Sequence, residues 1–235
     1  MSDGRYFFAH SSSRLFSNFL EMIKKLIFLL ALIALNPLPA MADVFDHPVK
    51  NEDLQMVKSS IPEPEILRGD FKQTKILQDL DRDFISYGKF IFTKKDGLYW
   101  HMKKPFELIN VFTKNGLMSI EDGQKNLISA EESPIFKEIS EIFQTILVAD
   151  VDRLKDHFEI FFTQNNQNWI LGLEAKNEAV KNVANKITIT GKDFVTKIIL
   201  EEQALGETKC DLTIIEFSNL SQNKLTQDEE NYFQF

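Results

Sequence analysis

The sequence predicts a mainly β fold with helices (α+β): a strongly curved antiparallel sheet, an incomplete barrel, with helices across its open concave side. Two observations carry this prediction. Short runs of alternating apolar and polar residues succeed one another through most of the chain, separated by turn dipeptides such as Asp96-Gly97 and Asn115-Gly116. Such dipeptides between alternating runs signal β-hairpins. Midway, the apolar spacing changes to three and four residues at Ile135, Ile139, Ile142, Phe143, Ile146 and Leu147, which marks an amphipathic helix. No long helix separates successive strands, which argues against a parallel α/β sheet.

The elements follow in order. Lys24-Lys25 precede an apolar run from Leu26 to Leu35, and Ala40-Met41-Ala42 follows. A basic start, a short apolar stretch and an A-x-A site define a cleavable signal peptide over residues 1–42. The run falls short of the roughly 20 apolar residues that span a bilayer. Met22, directly before the basic pair, is an alternative start. No cysteine near the cleavage site offers a lipidation point, so the expectation is a soluble periplasmic protein beginning at Asp43. Leu54 and Val57 place a short helix within 50–60, stopped by Pro62 and Pro64. Strands are expected at 66–77, 84–94, 97–103, 108–113, 116–121 and 125–129. Ser133 as N-cap and Pro134 in the first turn begin the central helix, which runs to Val148. Asp150 caps a short helix at Val151–Lys155, and strands resume at 157–164, 168–175, 185–191, 194–203 and 209–217. Residues 43–217 thus make one domain, and the polar tail 218–235 frays or forms a weak final helix.

Composition narrows the function. The net charge of −8 becomes −10 when residues 1–42 are removed, because they hold four basic and two acidic residues. That acidity argues against nucleic acid and against anionic membrane surfaces. Phenylalanine is abundant, 21 against 2 Trp and 4 Tyr, which fits an aromatic core or an aromatic-lined cavity equally. Cys210, the sole cysteine, reads as a buried inert thiol. Asp79, Asp81 and Asp83 have the spacing of a calcium loop. Its sixth and twelfth positions, however, are Phe84 and Phe90, where Gly and Glu are needed. His47, His101 and His157 are scattered, no G-x-S-x-G elbow occurs, and the nine glycines are isolated. No metal site, cofactor, nucleophile or phosphate-cradling loop is indicated, and the reading is not an enzyme.

The most informative block runs from Gly69 to Leu117. It contains Phe71-x-Gln73, then Gly88-x-Phe90-x-Phe92, then Trp100-His101-Met102, then Pro105-Phe106. Strand alternation puts Phe90, Phe92 and Lys94 on one face, and Leu98, Trp100 and Met102 on one face of the next strand. An ordinary packed core is one reading of these faces. The ordered set resembles the periplasmic outer-membrane lipoprotein carrier family, the LolA-like proteins, in which an F-x-Q strand, a G-x-F/L strand, a W-x-M/T strand and a proline follow in this order. The resemblance implies a half-barrel whose concave cavity shields the acyl chains of a lipidated cargo beneath a helical lid. Phe71, Phe90, Phe92, Leu98, Trp100 and Met102 would then face the cargo from the sheet, and Ile139, Phe143 and Ile146 from the lid. Family members carry an Arg-Pro after the second strand that helps latch the lid. Here Lys94-Lys95 stand there, and Lys94 is the candidate latch, without the planar bidentate contacts of Arg.

The implied partners are an acylated lipoprotein or lipid, an inner-membrane donor complex and an outer-membrane receptor, with the carrier a monomer. One alternative is a module on the same fold that senses lipids or lipoproteins without moving them. An outer-membrane barrel, prompted by the terminal Phe233-Gln234-Phe235, is disfavoured because Lys94-Lys95 and Lys103-Lys104 put charge on both strand faces. A lipid hydrolase lacks a nucleophile motif.

Overall fold

A computed structural model describes residues 43–77, 82–131, 134–165, 167–181, 184–202 and 211–235. The expected signal peptide, Asp79, Asp81, Ser133 and Cys210 lie outside the described residues. Helix α1 is Leu54–Ser60, and six strands follow: β1 Ile66–Leu77, β2 Arg82–Thr93, β3 Gly97–Lys104, β4 Leu108–Thr113, β5 Gly116–Glu121 and β6 Gln124–Ser129. The central helix α2 is Pro134–Leu147, and α3 is Val151–His157 with the Asp150 side chain accepting from the Arg153 N–H at its N-terminus. Strands β7 Phe158–Gln164 and β8 Trp169–Ala175 come next. The one-turn helix α4, Glu178–Lys181, then precedes β9 Lys186–Gly191, β10 Val195–Glu202 and β11 Asp211–Ser221.

All eleven strands pair antiparallel in one open sheet of order β6-β5-β4-β3-β2-β1-β11-β10-β9-β8-β7. The expected half-barrel is what forms. Strands β4 and β7 stand eight places apart in that order, which on a flat sheet would separate them by about 38 Å at roughly 4.8 Å per strand. Phe112 of β4 and Phe158 of β7 nevertheless border one cavity, so the sheet curls back on itself. The N-terminal segment covers one edge: the Val49 N–H donates to the Ile160 carbonyl and the Phe162 N–H to the His47 carbonyl. The other edge, β6, is bare among the described residues, with Leu127 exposed.

The pleat sends alternate side chains to opposite faces, and both faces carry apolar clusters. The concave cluster is the main core. It joins Leu67, Phe71, Phe90, Leu98, Ile198, Ile215 and Phe217 of the sheet to Val57 of α1, Ile142, Ile146 and Leu147 of α2, and Leu154 of α3. The helices therefore lie across the concave side, as the sequence predicts for a lid, and an ion pair between Lys58 and Asp152 ties α1 to α3. The convex cluster is smaller: Ile91, Val111 and Met118, covered by Phe233.

Of the two expectations for the tail, the weak final helix is the one that forms. Residues 222–235 do not simply fray. Thr226 and Glu229 form a reciprocal capping box at the start of α5, Gln227–Glu230, which satisfies two backbone donors at a helix start. Arg68 pairs with Glu229, and Tyr232 stacks on Tyr99 with ring centroids 4.6 Å apart. Burial, chiefly, with the Tyr232 and Glu107 side chains beside it, pushes the Tyr99 phenol up to about 12. Phe233, the residue that prompted a membrane-barrel reading, is an inward anchor instead.

Candidate apolar binding site

On the concave wall the aromatic side chains pack against each other. Phe71 lies directly opposite Gly88 in the β1–β2 ladder, and its ring stacks on Trp100 with centroids 3.8 Å apart and planes 19° apart. Phe90 stands beside them, 6.1 Å from the Trp100 ring and 5.1 Å from Phe217. Phe143 descends from α2 onto this floor, meeting Trp100 edge-on at 5.7 Å and Phe112 at 5.9 Å. Offset and edge-on contacts of this kind each add about 0.5–1.5 kcal/mol beyond area burial. Phe71, Phe90, Leu98 and Trp100 are all buried, so in this state the cluster is closed.

Beside the cluster lies an apolar cavity of about 190 Å³. Its roof is Ile142, Phe143 and Ile146 of α2, and its walls are Phe112, Phe158, Ile187 and Leu200 of four different strands. Val180 and Ala184 close one side. They are fixed there by α4, whose first turn is held by the Asn177 side chain accepting from the Val180 N–H at 2.9 Å. All nine lining residues are apolar, so water in the cavity would find no side-chain partner. Its lining offers apolar contacts only.

A second, smaller hollow of about 50 Å³ opens at the far end of α2, floored by Phe92 and bordered by Lys94, Gln144, Thr145 and Val148. Lys94 sits at this mouth. Its ammonium lies 3.6 Å from Glu63 and 3.7 Å from Glu65, both on the segment leading into β1.

The predicted residues therefore fall into three places. Phe143 and Ile146 line the cavity; Phe71, Phe90, Leu98 and Trp100 form its closed aromatic flank, with Met102 half-buried at the margin. Phe92 and Lys94 belong to the smaller mouth, and Ile139 falls in α2 one turn before Phe143. Sequence reasoning missed Phe112, Ile142, Phe158, Val180, Ala184, Ile187 and Leu200. Phe112 shares the face of Leu98 through direct pairing, and the cap at Asn177 was a readable signal for α4. Nothing local, however, announces that β4 and β7 border one cavity. Among the described residues, no three His, Cys, Asp or Glu side chains are grouped to hold a metal ion. No helix among them is long and apolar enough to cross a membrane.

Three solved structures are similar to this chain at low identity. A LolA-superfamily protein of Nitrosomonas europaea matches at 8% identity over 77% of this chain and 96% of its own, with a TM-score of 0.39. A DUF1329 family protein of Desulfovibrio piger matches at 12% identity over 77% and 95%, with a TM-score of 0.41. The MucA/MucB complex structure of Pseudomonas aeruginosa matches at 10% identity over 72% of this chain and 55% of that one, with a TM-score of 0.42. No curated protein matches the sequence significantly. The family model described as "Outer membrane lipoprotein carrier protein LolA" matches residues 64–235, and on that match the chain belongs to the LolA family, which includes lipoprotein carriers and related binding proteins.

Proposed function

We propose that the protein is a periplasmic carrier that shields the acyl chains of a lipidated cargo, an outer-membrane lipoprotein or a related acylated lipid, on its way to the outer membrane. It would take cargo from an inner-membrane donor complex and surrender it to an outer-membrane receptor, without chemistry on the cargo. The observation that carries this reading is the wholly apolar cavity of about 190 Å³ between α2 and the concave wall. A sealed apolar cavity of about 150 Å³ accommodates one benzene. The space present is thus far too small for an acyl chain, and loading requires α2 to lift from the sheet. Opening would expose the Phe71, Phe90 and Trp100 flank, adding the surface that a long chain needs. A chain of about fourteen carbons offers on the order of 10 kcal/mol at roughly 0.8 kcal/mol per methylene. Lys94, the candidate latch, borders the smaller mouth together with Gln144 and Thr145 of α2, while its ammonium pairs with Glu63 and Glu65.

Filling the cavity tests the reading. Leu200→Trp and Val180→Phe add bulk inside it without adding charge. Both variants should keep a cooperative thermal transition and bind a fluorescent fatty-acyl probe at least about tenfold more weakly, a loss of roughly 1.4 kcal/mol. Folded variants that bind the probe like the unaltered protein would sink the assignment. Mass spectrometry of the protein recovered from periplasm should find an acylated molecule bound to it.

A further inference from the structure

The concave wall is not apolar throughout. In β1 the face that carries Phe71 continues with Gln73 and Lys75; in β2 the face of Phe90 includes Ser86; in β11 the face of Phe217 includes Thr213. In β10, Glu202 follows cavity-lining Leu200 on the same face. These five polar side chains lie on four adjacent strands. Gln73 pairs with Ser86, and Lys75 is opposite Thr213. The Lys75 ammonium donates to Glu202 Oε2 at 2.6 Å, and the Thr213 hydroxyl donates to Glu202 Oε1 at 2.6 Å. The Lys75 and Glu202 side chains are 35% and 31% exposed, so a ligand can reach them. Glu202 stands two residues beyond Leu200, about 7 Å along the strand.

A lysine–glutamate pair as exposed as this one contributes little to stability. Its position suggests a different use. We propose that this polar step, where the apolar wall ends, receives the carbonyl-bearing junction of the cargo: the ester and amide groups joining acyl chains to the polar part. The proposal rests on the carrier reading and adds to it where the cargo changes from hydrocarbon to polar. Hydrocarbon tails would occupy the opened cavity past Leu200. Their ester and amide oxygens would then need donors at that boundary, because a carbonyl buried without one carries the full desolvation cost. Lys75 has three ammonium donors and Gln73 two amide donors. Ester carbonyls occur in both lipoproteins and glycerolipids, so both are ligands of this chemistry.

The test compares three probes on the full mature protein: diphenylhexatriene, which has no carbonyl; a synthetic S-diacylglyceryl-cysteine peptide; and a phosphatidylglycerol of equal acyl length. Two variants serve. Lys75→Met/Glu202→Met removes both charges together, leaving neither stranded, and Gln73→Leu removes the amide. The expected result is about tenfold weaker lipopeptide binding in the double variant, the worth of one hydrogen bond, with diphenylhexatriene affinity within about twofold. Weakening of lipopeptide and phospholipid alike assigns the step to the glycerol esters, and weakening of lipopeptide alone assigns it to the cysteine amides. Unchanged lipopeptide affinity in both folded variants would overturn the proposal. So would an equal loss of all three probes, the mark of a wall that has lost its shape. An unaltered protein that binds none of the probes would overturn the carrier reading as well.

Discussion

Gly88 shows how one residue shapes the site. A Cβ there would stand 2.1 Å from the His101 carbonyl oxygen and 2.5 Å from the Phe71 ring. The missing side chain therefore lets Phe71 lie flat across the strand and stack on Trp100. Gly88→Ala must displace backbone as well as the ring. Overpacking of this kind costs about 1–3 kcal/mol, so urea unfolding should show a lower midpoint by that amount and near-ultraviolet circular dichroism a weaker Trp100 signal. Strand alternation grouped Phe90 with Phe92 and Trp100 with Leu98 and Met102, each within its own strand, and the resemblance to the LolA-like pattern set Phe71, Phe90 and Trp100 together. Phe158, Ile187 and Leu200 were not legible in either way. Each sits in an ordinary alternating strand, and only the curl of the sheet makes them neighbours of Phe112.

Among the elements, the terminal strap of residues 222–235 covers part of the convex face. Its polarity suggests a frayed end or a weak helix; the helix forms, and Leu225, Tyr232 and Phe233 meet the convex face. Removing 222–235 should expose Ile91, Val111 and Met118, and the truncated protein should bind more of a hydrophobic dye than the whole chain does. The strap also carries a pH dependence. The bond from Arg68, with help from Thr226, holds the Glu229 carboxyl down at about 2 against its ordinary 4.5. A carboxyl lowered on folding contributes stability that is complete above about 4.5 and is lost as the pH falls toward 2. Thermal midpoints followed from pH 6 to 2 should decline over that window, and Glu229→Gln should start lower and flatten the decline. An unchanged slope in the variant would detach the strap from acid stability. The strands and α2, in contrast, were legible to within a residue or two, since period and turn chemistry are local properties, except that β11 runs on to Ser221 where 217 was expected.

At the scale of the whole molecule, the sheet and the helices that roof it should differ in stability. Strands β2 and β3 are paired on both sides, whereas α2 meets the sheet through side chains such as Ile142, Phe143, Ile146 and Leu147. Hydrogen exchange should therefore find α2 opening more readily than β2 and β3, as elements that move are drawn from the less stable end of a structure. Equal, global-level protection of all three would mean that the roof does not move independently. The closed aromatic flank has a further thermodynamic consequence. Because Phe71, Phe90, Trp100 and Phe143 already satisfy one another, an incoming acyl chain would exchange apolar contacts rather than withdraw fresh surface from water. Water-exposed area would then change chiefly on the cargo's side. Titration calorimetry at several temperatures should give a heat-capacity change smaller in magnitude than the same chain shows on entering a pocket that stands open. On the carrier reading, the grip on hydrocarbon would be discounted by the protein's grip on itself, and a bound cargo would lie close enough to balance for a receptor to take it.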